Sequence, residues 1–209
     1  MDGLQISGHN PYLYENALIQ EVVMQRPEQS SAQTAEGILD AAGINQILED
    51  LAAQVAARAP AAGKLAVIGI QRRGVFLASR LAALLEKKLG QPVPQGALDI
   101  NLYRDDWTTL GSQPVVGRTE LNFDVRGLNL LLVDDVLFTG RTIRAALEAL
   151  TDFGRPNKVE LLVLVDRGHR ELPIQADYVG RALKTERSER VDVMLHELDG
   201  SDEVVLRKS

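Results

Sequence analysis

LLLVDDVLFTGRT, residues Leu130 to Thr142, is an apolar run followed by two adjacent carboxylates and then by Thr139-Gly140-Arg141-Thr142. Such a run bounded by polar residues reads as a buried strand. It pins the chain in a sheet, so Asp134 and Asp135 emerge at a fixed place on the strand's carboxyl end. Adjacent carboxylates repel each other and are costly to desolvate, so the pair calls for a ligand. The vicinal hydroxyls of a ribose would supply one, each carboxylate accepting a hydrogen bond. Thr139–Thr142 then opens the next helix. Unpaired backbone N–H groups there, a glycine that lets the chain approach closely and two hydroxyls make a phosphate cradle. A diol binder and a phosphate cradle so close together fit a ribose 5-phosphate. The plainer reading is a capped helix after a strand, with a solvated Asp pair.

Outward from this stretch, strands and helices alternate. INQILEDLAAQVAAR places Ile44, Ile47, Leu48, Leu51 and Val55 at helical spacing. LAVIGI (65–70) reads as a buried strand and GVFLASRLAALLEKKLG (74–90) as a helix closed by Gly90. ALDINLY (97–103) reads as a strand, NLLLVDDV as another, TIRAALEALTDFG as a helix ending at Gly154, and KVELLVLVD (158–166) as a further strand. The tail beyond Arg167 holds strand-like runs in ADYVG, VDVMLHEL and EVVLR. Alternation of this kind predicts a parallel sheet with right-handed crossovers and ligands beyond the carboxyl ends of its strands. Three strand ends then matter: Gln71-Arg72-Arg73-Gly74, Tyr103-Arg104-Asp105-Asp106 and Asp134-Asp135. About 25 polar, Gly-rich residues from Arg104 onward are too many for an idle connection. Residues 1–33 read as a separate, flexible extension with one short amphipathic helix near Tyr14–Met24.

The 209 residues suffice for one well-buried α/β domain. The absence of cysteine excludes disulfides, thiolate nucleophiles and Cys-ligated metals. No apolar stretch is long enough to span a bilayer, and the N-terminus lacks a signal-peptide pattern, so the expected location is the cytoplasm. A net charge of -6 argues against a general nucleic-acid binder, while leaving room for a local basic patch.

The motif at 130–142 resembles the 5-phosphoribosyl 1-pyrophosphate (PRPP) motif of type I phosphoribosyltransferases. With GIQRRGVFLASRLA, LDINLYRDD and GRPNKVELLVLVDRGHRELPIQADYVG, the chain from about Ala35 onward resembles the bifunctional pyrimidine-operon attenuator and uracil phosphoribosyltransferase family. The resemblance implies an α/β fold: a parallel sheet flanked by helices over residues 34–209, with a small hood and a long flexible active-site loop at about 104–128. It implies PRPP, uracil and UMP as ligands, Mg²⁺ bound mainly through PRPP rather than by the protein, a homodimer or higher homo-oligomer, and a pyrimidine-operon mRNA leader as a further partner. It makes Asp134 and Asp135 the ribose ligands and Thr139, Gly140, Arg141 and Thr142 the 5-phosphate loop. Val136, Leu137 and Phe138, which join the two, fall within the substrate site. Arg72 and Arg73 match the pyrophosphate loop, and Arg104 the residue brought onto pyrophosphate when the long loop closes. Arg167 and Val191 match hood positions near the base. His169, inside GHREL, is either an acid–base group or a residue that orders the turn; His9 and His196 have no assigned partner.

Two departures refine the expectation. Purine-salvage relatives commonly carry Asp just before the Thr-Gly pair, near the purine N7; here Phe138 stands in that place and cannot move that proton. Uracil, with a comparatively acidic N1 proton, needs less help. The first core helix, part of the family's RNA-binding face, carries Glu49, Asp50 and Ala53 here, with Arg58 near its end. Arg181, Lys184, Arg187 and Arg190 offer another basic segment, diluted by Glu186 and Glu189. Carboxylates repel a phosphate backbone, so the enzyme reading outweighs an attenuator with weak or no catalysis. A type I transferase for another base is the remaining alternative.

Overall fold

The carboxyl ends of two neighbouring strands, β2 (Leu65–Ile70) and β4 (Asn129–Leu137), organise the fold. The structure is a computed structural model that describes residues 35–59, 64–104 and 118–208. The extension at 1–33 and most of the loop at 104–128 lie outside the described residues. β3 (Gln95–Leu98), β5 (Lys158–Asp166) and β6 (Tyr178–Ala182) complete a parallel sheet in the order β3-β2-β4-β5-β6. The chain passes from β2 outward to β3 and then returns to the other side at β4. The order of winding therefore reverses between β2 and β4, where open α/β sheets hold their ligands.

Both faces of this sheet are covered, which is why its central strands read as unbroken apolar runs. Alternate residues serve opposite cores: Leu131 and Val133 of β4 join one cluster, Leu130 and Leu132 the other. α1 (Ala41–Arg58) and α2 (Arg73–Leu89) pack on the first face and α3 (Arg141–Thr151) on the second. Ile44, Leu48, Leu51 and Val55 of α1 are buried, as their spacing predicts. Asp40 caps this helix, its carboxylate accepting from the Gly43 N–H at 2.8 Å. Gly90 closes α2 in the left-handed conformation, also as predicted.

A second, antiparallel sheet has the order β1-β8-β7, from β1 (Ala35–Leu39), β7 (Arg190–Met194) and β8 (Glu203–Arg207). This is the hood, built from the first and last strands of the described chain. A helical turn, α4 (His196–Asp199), lies between β7 and β8. Thr34–Ser209 forms one compact unit.

Several boundaries differ from the sequence reading. The strand expected over 97–103 stops at Leu98, and Asn101–Tyr103 forms a 3-10 turn. Asp99 explains the break, because its carboxylate accepts from the Asn101 N–H at 2.9 Å and turns the chain. The helix expected to end at Gly154 stops at Thr151, and Gly154 adopts a positive φ in the turn that follows. In VDVMLHEL only the first half is strand, since α4 begins at His196. β1 has no counterpart in the sequence reading. Three of its residues are exposed and two half-buried, so it shows no alternation to read. No described helix is long and apolar enough to cross a membrane.

Candidate active site

β4 outruns β2. Its pairing with β2 ends at Gly69↔Val133, whereas its pairing with β5 continues through Asp134↔Val163 to Leu137↔Asp166. Asp134 and Asp135 therefore stand at the notch beyond β2, on the floor of a cleft of about 740 Å³. Arg72, Arg73, Arg104, Val136 and Thr142 line the same cleft.

Burial shapes the carboxylate pair. Asp134 is buried and its carboxylate accepts from the Asp135 N–H at 3.0 Å; that of Asp135 accepts from the Val136 N–H at 2.9 Å. Desolvation, and then the neighbouring charge of Asp135, push the Asp134 carboxyl well above the usual carboxylate range. Burial raises Asp135 as well, against backbone N–H groups and Arg73, which draw it down. Without a ligand, the pair holds a proton more readily than ordinary carboxylates do.

The β2 side depends on close backbone packing. A Cβ on Gly69 would sit 2.4 Å from the Gly74 carbonyl oxygen, and one on Gly74 would sit 2.5 Å from that of Val133. Only glycine lets α2 begin against β2 and β4. The Gln71–Arg72 peptide is cis, and the Gln71 N–H donates to the Leu98 carbonyl at 2.9 Å. The Gln71 side-chain amide donates to the Arg118 carbonyl at 2.9 Å. Arg118 and Glu120, from the far end of the long polar stretch, also line the cleft.

At the start of α3, Gly140 takes a left-handed conformation with φ 92°. The Thr139 carbonyl accepts from the Glu171 and Leu172 N–H groups at 2.9 and 3.2 Å, so the segment after β5 lies against this turn. Arg141 pairs with Glu171 at 2.8 Å, and Glu171 also takes Arg187; the two cations hold its carboxyl below the usual range. Thr142 lines the cleft, and Thr139, Gly140 and Arg141 form the turn that leads into it.

Leu137 turns into the core, 1% exposed. Phe138 lies beneath the Arg167 guanidinium, 4.1 Å from the ring centre, with the His169 ring edge-on. Arg167 is buried and donates to the Thr185 hydroxyl and the Glu186 carbonyl; burial lowers its pKa. His169 contacts the Thr185 carbonyl through Nε2 at 2.6 Å and has a positive φ, a turn-ordering arrangement. His196 contacts the Gly200 carbonyl, and His9 lies outside the described residues. Val191 lines a second cavity of about 320 Å³, between β7 and the carboxylates, which shares Arg73, Asp135 and Val136 with the cleft.

Sequence reading did not single out Asp199, whose carboxylate takes Arg73 in a two-point ion pair, Nη2 to Oδ1 at 2.8 Å and Nε to Oδ2 at 3.2 Å. Its partner lies 126 residues away, and nothing local in ELDGSDE marks it. Among the described residues, no group of three or more His, Asp or Glu side chains could hold a metal ion. Asp134 and Asp135 are hard oxygen donors, a set that fits a Mg²⁺ whose other ligands come from a polyphosphate.

Comparison with known proteins identifies the family and the fold. Residues 34–193 match the family described as Phosphoribosyl transferase domain. The chain is 55% identical over 170 residues to the bifunctional protein PyrR of Desulfosudis oleivorans, covering 81% of this chain and 94% of the relative. It is 53% identical over 169 residues to the bifunctional protein PyrR of Pelotomaculum thermopropionicum, covering 81% and 93%. Among solved structures, a hypoxanthine phosphoribosyltransferase from Staphylococcus aureus is similar with TM-score 0.60 at 23% identity, covering 83% of this chain and 92% of that one. The Trypanosoma cruzi hypoxanthine phosphoribosyltransferase in complex with the product IMP gives TM-score 0.60 at 22% identity, covering 83% and 91%. At that identity the structural likeness concerns the fold alone.

Proposed function

The chain belongs to the phosphoribosyl transferase domain family and, within it, to the bifunctional PyrR proteins, and from that premise we propose that it transfers the phosphoribosyl group of PRPP to uracil. The products are UMP and pyrophosphate. One observation carries the reading: a carboxylate pair, the start of α3 and the arginines of the β2 turn converge where the sheet reverses its winding.

Asp134 and Asp135 accept hydrogen bonds from the ribose 2- and 3-hydroxyls, while the turn at Thr139–Thr142 receives the 5-phosphate. Arg72, Arg73 and Arg104 take the pyrophosphate. The bond from ribose C1 to the pyrophosphate oxygen breaks, its electron pair leaving with pyrophosphate. Uracil N1 bonds to C1 and gives up its proton to solvent. These arginines stabilise the charge that grows on the leaving group, and the carboxylates face the cationic ribose. Mg²⁺, held mainly by PRPP, would add charge neutralisation at the pyrophosphate, where a carboxylate oxygen that the ribose leaves free on Asp134 or Asp135 would join its ligands. The base enters the cavity between Val136 and Val191. Phe138 offers no proton to a purine and is already covered by Arg167.

A screen of bases with PRPP and Mg²⁺ tests this reading. Uracil should give UMP with hypoxanthine and guanine poor, and faster turnover of guanine would refute it. The expected setting is a cytoplasmic homo-oligomer. Regulation through pyrimidine leader RNA is the second reading, and the surface of α1 weighs against it. Glu49 and Asp50 are exposed there, and Glu49 already neutralises Lys88 at 3.1 Å.

A further inference from the structure

We propose that Asp199 is a positioning residue that aims the Arg73 guanidinium at pyrophosphate and keeps it off Asp135. The inference rests on the reading of the cleft as a PRPP site. Arg73 lines both cavities, and so does Asp135. An arginine here has two carboxylates to choose between. Pairing with Asp135 would occupy an oxygen acceptor that the ribose needs and would draw the cation away from the leaving group.

The structure resolves the choice in favour of Asp199. Two of the five guanidinium N–H donors are committed to its carboxylate, and three remain for an anion. Both ends of the pair are anchored. Arg73 opens α2, whose start is fixed by the Gly74 contact with β4. The Asp199 carboxylate also accepts from the Leu195 N–H at 2.9 Å, and this bond together with Arg73 holds it ionised. Two turns along α2, on the same face, Arg80 binds Glu197 at 2.5 Å and Asp202 at 2.8 Å. α4 is thus docked on α2 independently of the Arg73 pair. Arg80 anchors the hood, and the Arg73–Asp199 pair uses that anchorage to orient a cation in the cleft.

The test uses the full chain and magnesium pyrophosphate as the probe, titrated calorimetrically, beside steady-state kinetics with PRPP and uracil. Asp199→Asn should weaken pyrophosphate binding about tenfold or more and raise KM for PRPP by clearly more than KM for uracil, whose cavity Asp199 also lines. Asp199→Glu should recover part of the loss. Arg73→Ala should weaken binding similarly, and adding Asp199→Asn to it should cost nothing further, because the second residue acts through the first. If Asp199→Asn fails to fold, Arg73→Lys, which keeps the charge without the two-point grip, should reproduce the loss. Wild-type pyrophosphate affinity in Asp199→Asn would overturn the proposal. So would additive losses in the double variant or a parallel rise in KM for uracil. A wild-type protein that binds pyrophosphate through this pair yet makes no UMP would sink the substrate assignment and leave the positioning role standing.

Discussion

Asp134 and Asp135 sit where the sheet would be more stable without two charges, so at the scale of the residue function and stability pull in opposite directions. Replacing both by Asn should lower kcat/KM by several orders of magnitude, since each charge-assisted contact to a ribose hydroxyl contributes about 1.5–3 kcal/mol. Asp134→Asn alone should also stabilise the ligand-free fold by about 0.5–2 kcal/mol, because it removes a desolvated acid from a site next to another. The pH dependence has a definite sign. The folded pKa of Asp134 lies above the unfolded one, so its contribution is complete below the ordinary carboxylate range and is lost as pH rises through the folded value. Glu171, Glu197, Asp199 and Asp202 are shifted downward and contribute in the opposite sense, at acid pH. Urea midpoints measured upward from about pH 5 should therefore fall more steeply for wild type than for Asp134→Asn. Parallel curves would show that the pair is not strained by burial.

Elements hold the site together through close approach and through the hood, and each device can be broken separately. Gly74→Ala brings a Cβ to 2.5 Å from a backbone oxygen of β4, so the start of α2 must move. The expected cost is about 1–3 kcal/mol in urea unfolding, with activity lost because Arg72 and Arg73 move with it. Full activity in that variant would mean that the β2 turn tolerates displacement. These elements also mark what the sequence makes legible. β2, α1, α2, β4 and β5 follow from hydrophobic period and from Gly90, because their burial is decided by residues within one run. β3 ends before its apolar run does because the Asp99 side chain overrides the pattern locally, and α3 ends three residues before Gly154. β1 and the Arg73–Asp199 pair depend on partners more than a hundred residues distant, and no local period records them. The cleft was legible at Asp134–Asp135 and at Arg72–Arg73, where a strand ends abruptly in charge. Arg118 and Glu120 are hidden within a long polar stretch whose composition gives no hint of which residues face inward.

At the scale of the molecule, two questions concern what lies outside the sheet. Removing residues 1–33 should leave UMP synthesis within a few-fold, since β1 starts at Ala35 and pairs with β8. Removing residues 1–40 instead takes away that strand and the Asp40 cap, so the hood should open and activity should disappear. Equal loss in both truncations would give the extension a structural role. The second question is whether this surface approaches RNA. α1 presents Gln46, Glu49, Asp50 and Ala53 to solvent, and the Gln46 amide donates to Asp50 at 3.0 Å. Glu49 takes Lys88, which removes a nearby cation from service. On the other basic segment, Arg187 is tied to Glu171 and Arg190 to Asp192. Part of the charge available for phosphate contact is thus already offset within the protein, while Arg181 and Lys184 of the same segment stay exposed. Binding of a pyrimidine leader should accordingly be weak at physiological salt. Each phosphate contact steepens log K against log salt by about 0.9 for duplex DNA and about 0.7 for single strands, and for a folded leader the direction is what counts. Glu49→Lys with Asp50→Arg reverses both acidic groups and releases Lys88. If this face can meet RNA, that variant should bind more tightly and with a steeper salt dependence than wild type, in a filter-binding titration with a scrambled RNA as control. Nanomolar, leader-specific and UMP-enhanced binding by the wild type would mean that another face carries the contact and that regulation is a main role of this chain.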